Sequence, residues 1–253
     1  MAMEMVQGIL SSCNTEEPKL PPTILYNEGW VLRLVLEWFS KHRVTGHALD
    51  FDSGSRWYSE ALLPSAFLAT CRGDPLAEGR THADGVIGHF NVGVTGKGDL
   101  ELGHGAKQLV IVEAKMFSGL SAGVKNADYY DQAARAAACI AEVLRCAGRA
   151  ARAMSSAGYC VLAPEKQIEA GSFANYVNPG SIREKVERRV GEWVEKHEDD
   201  KTRWYAEWFE PTLQAMRLEV LSWEEVIRAI HGLDVESEEA LRAFYDQCVK
   251  FNS

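Results

Sequence analysis

Ten residues, QLVIVEAKMF at positions 108–117, constrain this chain more than any other stretch. Leu109, Val110, Ile111 and Val112 follow one another without a polar break, which is the pattern of a strand covered on both faces. Such a strand belongs in the middle of a sheet with helices above and below it. The run then ends on Glu113, Ala114 and Lys115. Residues two apart on a strand project from the same face, so Glu113 and Lys115 leave the core together. Two opposite charges so placed are either a structural ion pair or a piece of chemistry.

The remaining elements can be read around that strand. Residues 1–22 form an N-terminal arm that ends at Pro21-Pro22. A domain spanning 23–253 follows, with a core over about 23–165 and a C-terminal strand and helical region over about 166–253. Asn27 is a good N-cap for a helix through EGWVLRLVLEWFSKH, with Val31, Leu34, Val35 and Trp38 as its buried stripe. RWYSEALLPSAFL is ambiguous because Pro64 interrupts it. THADGVIGHF reads as a strand, and the glycine-rich VGVTGKGDLELGHG as a hairpin or excursion before the Glu113 strand. A loop, SGLSAGVKNA, leads into an alanine-rich helix, DYYDQAARAAACIAEVL, of high intrinsic propensity. YCVLAP is a short strand stopped by proline. REKVERRVGEWVEKHEDD is a charged amphipathic helix whose REKVERRV stretch is expected to face water, and MRLEVLSWEEVIRAI a strand that turns into a helix at Ser222, with Glu225 completing a capping box. Helix, strands, helix, strand and further helices describe an α/β protein with a central mixed sheet flanked by helices.

Composition narrows the setting. The chain has 253 residues, 46% hydrophobic and 25% charged, the balance of an ordinary globular protein. No apolar run approaches the ~20 residues of a membrane-spanning helix, and the first residues lack the pattern of a secretory signal. The six cysteines include no CxxC pair; reduced thiols in a cytoplasmic protein are expected, with Cys139 and Cys146 packed inside a helix. The net charge is −9, yet residues 192–253 hold 15 acids against 7 bases. The body before them is close to neutral and can still present a basic groove to nucleic acid.

Asp84 lies 29 residues before Glu113, in the neighbouring candidate strand. Two carboxylates and an amine at adjacent strand ends form a recognisable set. Carboxylates hold a hard cation such as Mg²⁺, which activates water and neutralises charge on a phosphate, while the lysine orients the water. Asp84, then Glu113-Ala114-Lys115, then Gln132 in the following helix resembles the PD-(D/E)XK nuclease superfamily, whose restriction-endonuclease-like core has the order αβββαβ. The resemblance covers a little over half of the chain. It departs in one place, where Asp84 stands in ADG rather than after proline.

The resemblance implies a Mg²⁺- or Mn²⁺-dependent nuclease that hydrolyses phosphodiester bonds, with DNA as its substrate. Asp84, Glu113 and the Ala114 carbonyl would be metal ligands, Lys115 the catalytic lysine, and Gln132 a neighbour of the site. Glu28 matches an acid that many members place beside the metal; Glu60 competes for that role and Glu78 is a weaker third candidate. Glu28 also suits the first turn of a helix with no function at all. Arg135, one turn after Gln132, could reach a phosphate. Lys125, Asn126, Tyr129 and Tyr130 offer donors and aromatic faces for phosphates and bases, beside the plainer reading of a helix N-cap at Asn126. His82 shares a face with Asp84 but reads as a neighbour, not a ligand. A different class of protein fits the same residues: a non-catalytic module of this fold that contacts a protein through its acidic C-terminal region. A homodimer is equally open.

Overall fold

The computed structural model describes every residue except 70, 95, 97, 124–126 and 198–200. Among the described residues seven strands form two sheets: β1 (Arg56–Leu63), β2 (Thr81–Gly88), β3 (Phe90–Val92), β4 (Leu100–Leu102), β5 (Gln108–Ala114), β6 (Ser156–Ala163) and β7 (Arg217–Ser222). The larger has the order β1-β2-β5-β6-β7, and β3 with β4 makes a separate hairpin. β1, β2 and β5 are antiparallel neighbours, whereas β6 and β7 run parallel to β5. β5 is thus the central strand of a mixed sheet, and all seven of its residues are buried.

Helix α1 (Ala2–Ser11) precedes α2 (Glu28–Lys41), which covers one face of the sheet. Asn27 caps α2 by accepting the Trp30 N–H at 3.1 Å. Its buried face is two adjacent rows, Val31/Val35/Trp38 and Leu32/Leu36/Phe39. Leu34 falls off the edge of that face and is exposed. Gly85 on β2 allows the close approach: a Cβ there would lie 3.0 Å from both Leu32 and Leu36. The other face is covered by α3 (Gln132–Cys146), which supplies the crossover from β5 to the parallel β6. Its alanines are buried almost all round, because α5 (Pro179–Val194) packs against its outer side.

Between β6 and β7 the chain forms α4 (Glu165–Glu169), α5, α6 (Lys201–Trp204) and α7 (Glu210–Ala215), with one π-turn at Tyr205–Phe209. After β7 come α8 (Trp223–His231) and α9 (Val235–Asn252). Ser222 caps α8 through the Glu225 N–H, as its spacing predicts. The C-terminal region therefore contributes a strand to the main sheet and helices to the α2 face. Among the described residues no helix is long and apolar enough to cross a membrane.

In the N-terminal arm α1 is helical with none of its residues buried, and the segment behind it is held to α9 by Tyr26, which stacks on Phe251 at 5.5 Å and donates to Asn14. Three expectations are corrected. Cys146 is exposed in the last turn of α3, unlike the buried Cys139. The REKVERRV stretch of α5 does not simply face water, since Arg189 is fully buried and pairs with Glu78 at 3.2 Å. The alanine-rich helix is capped by Asp131, whose carboxylate accepts the Ala134 N–H at 2.9 Å, and Asn126 lies outside the described residues.

Candidate active site

The register brings the acids together. Gly85 pairs with Val112, so the next positions along the ladder, Asp84 and Glu113, stand directly across from each other. On the other side, Ser59 pairs with Gly85 and Ala61 with Ala83, which sets Glu60 opposite Asp84. Three acids thus occupy one row across β1, β2 and β5.

Two members of that row, Glu60 and Asp84, sit at a break in the pleat. On β1, Trp57 and Ser59 meet α2 through Glu37 and Arg33, but Ala61 and Leu63 join the core under α3. On β2, Gly85 faces α2 while Ala83 faces the α3 side. Alternation alone would keep residues two apart on one face, so both strands invert at Glu60 and Asp84. Glu60 absorbs the turn with φ +58, the only positive φ outside glycine among the described residues, a conformation that costs an L-residue free energy. The ladder would next set Ala83 against Ala114. Instead the Asp84 carboxylate accepts the Ala114 N–H at 2.8 Å.

Glu113 is the focus of the site. Its Oε1 accepts from Lys115 Nζ at 2.7 Å and from Gln132 Nε2 at 2.5 Å. The residue is only 4% exposed. Burial, then the neighbouring Asp84 carboxylate, push its pKa up to about 8 against the pull of Lys115. Two carboxylates so close in a dry site repel, which is why Asp84 adds to the upward push on Glu113. Gln132 is fixed from behind: its backbone N–H donates to the Ser121 carbonyl at 3.1 Å, and its Oε1 accepts the Ser121 N–H at 3.2 Å. Lys115 is held through its backbone, donating to Leu162 O at 2.8 Å and accepting from the buried Trp223 indole at 2.8 Å.

Asp84, Glu113, Lys115 and Gln132 thus meet, with Ala114 between them. Other candidates do not join them. Glu60 pairs with Arg33 at 3.4 Å, and His82 stands 4.0 Å from it. Glu28 lies near Cys248 of α9, whose thiol its charge raises after burial, and makes no bond to Asp84 or Glu113. Glu78 is taken by Arg189 and Ser65. Arg135 turns from the site to donate to the Thr81 hydroxyl at 3.1 Å. Tyr129 donates to Glu192 at 2.5 Å beneath the Arg188 guanidinium; α5 therefore occupies one of the groups expected to meet a substrate. Lys125 lies outside the described residues. Sequence reasoning missed Asp131 and Lys185, an ion pair at 2.5 Å beside Gln132; Asp131 carries the ordinary N-cap signal.

Among the described residues no three His, Cys, Asp or Glu side chains gather as a metal cage. The donor set still suits Mg²⁺, which typically keeps several waters and takes one or two carboxylates. The repulsion between the Asp84 and Glu113 carboxyl groups marks where one cation would bring relief. Set against models of protein families, curated proteins and solved structures, the chain matches none.

Proposed function

We propose that this protein is a Mg²⁺- or Mn²⁺-dependent nuclease that hydrolyses phosphodiester bonds in DNA. The observation that carries the reading is the buried Glu113 carboxyl, set across from Asp84 and bonded at one oxygen by both Lys115 and Gln132. A structural ion pair needs one acid and one base; a second acid raising the first is the arrangement of a site that awaits a cation. The order α2, β1, β2, β5, α3, β6 also supports a restriction-endonuclease-like core, with the β3–β4 hairpin as an insertion.

Asp84, Glu113 and the Ala114 carbonyl would hold the cation, which supplies charge neutralisation and a water acidic enough to attack. Lys115, on the same face as Glu113, would orient that water and stabilise charge on the phosphate. Gln132 holds the Glu113 carboxylate in place, and Trp223 holds the lysine's backbone. The site lies at the carboxyl end of the parallel strands β5 and β6, where loops rather than strands shape access.

Incubating labelled single- and double-stranded DNA with the protein and Mn²⁺ tests the reading. Cleavage that needs the metal and disappears in Glu113→Ala and Lys115→Ala is the expected outcome. Intact DNA under all metal conditions would favour a non-catalytic module.

A further inference from the structure

Strand β6 carries another polar group on the face that holds the carboxylates. Tyr159 is fully buried, and its hydroxyl has no hydrogen-bond partner among the described residues. A phenol stripped of water and left unbonded is costly, and phenylalanine would fill the same volume without that cost. The register fixes where the ring stands. Tyr159 pairs with Ile111, and Glu113 with Val161, while Ile111, Tyr159 and Val161 all belong to the core beneath α3. Tyr159 is therefore the diagonal neighbour of Glu113, a separation of roughly 7–8 Å between backbones that aromatic and long side chains span.

The electrostatics agree with this placement. Burial first, and then the charges of Glu113, Asp84 and Asp131, raise the phenol well above its ordinary pKa. Of those three acids, Asp131 is already engaged by Lys185 and the Ala134 N–H, and Asp84 by the Ala114 N–H. On Glu113 the Lys115 and Gln132 donors converge on the single oxygen Oε1.

We propose that Tyr159 is a positioning residue: its hydroxyl donates to the Glu113 carboxylate when that group holds a divalent cation, fixing the ligand's orientation. This rests on the metal-dependent reading above. Partners of this kind orient ligands in many metal sites, and their loss weakens metal affinity by about 10–100-fold.

Tyr159→Phe provides the test, read by thermal melts without metal and by calorimetric titration of Mn²⁺. The metal-free variant should melt at the parent's temperature or above it, because an unbonded hydroxyl has gone. Its Mn²⁺ affinity should nevertheless fall by about tenfold or more. Unchanged affinity, or weakening accompanied by a lower metal-free melting temperature, would overturn the positioning role while the parent's Mn²⁺ binding stands. If the parent binds no Mn²⁺, the positioning role and the metal-dependent reading fall together.

Discussion

At Glu113 the folded protein holds a proton up to about pH 8, whereas an ordinary glutamate releases it near 4.5. The cause is burial, reinforced by Asp84. Because the folded state binds this proton more tightly than the unfolded chain does, its contribution to stability is complete below the unfolded pKa. That contribution is lost as pH rises through the folded value. Thermal melts of the metal-free protein between about pH 5 and 9 should therefore fall with rising pH over this window. Glu113→Gln keeps the shape and has no proton to lose, so its profile should be flatter. Equal slopes for the two proteins would remove Glu113 as the titrating group. Lys115 was readable at this scale from its strand parity with Glu113, and Gln132 through the superfamily resemblance, which looks for a glutamine in the helix that follows. Tyr159 was not, because a tyrosine in an apolar strand looks like any other core residue.

The elements followed the sequence wherever one periodicity dominated. The run from Leu109 to Val112 marks a strand buried on both faces, and Asn27 and Ser222 mark helix starts by side-chain chemistry. The inversion of β1 and β2 at Glu60 and Asp84 carried no such mark, since glutamate has no preference for a left-handed backbone. Arg189 was equally hidden: in REKVERRV its spacing fits a solvated face, and only the fold brings Glu78 to it. Glu60 gives a test of the inversion. Glycine tolerates φ +58 and alanine does not, so Glu60→Gly should be more stable than Glu60→Ala by about 1 kcal/mol in urea unfolding. If alanine proves the more stable of the two, the strand does not turn over at this residue.

For the molecule as a whole, the buried Glu78–Arg189 pair ties the segment between β1 and β2 to α5. Arg189 also donates to the Leu76 carbonyl, while Trp223 of α8 holds Lys115. The C-terminal region is therefore part of the site's support and not an appendage. Replacing Arg189 alone by Met leaves a desolvated acid and should cost ~3–5 kcal/mol; replacing Glu78 by Leu as well should recover much of it. Urea denaturation of the single and double variants checks this, and additive losses would show that the pair does not interact.

The central claim is that Asp84 and Glu113 await a cation rather than merely balancing Lys115, and calorimetric titration of Mn²⁺ tests it most directly. The parent should bind Mn²⁺ with release of a proton below about pH 8, because the cation replaces the proton on Glu113. Glu113→Ala should lose most of that affinity. Lys115→Ala should keep it or bind more tightly, since a protonated lysine cannot ligate and repels the metal. The opposite account is a buried ion pair, in which removing either partner destabilises the fold by ~3–5 kcal/mol and no metal binds. Absence of Mn²⁺ binding in all three proteins, with both variants melting early, would contradict the nuclease reading.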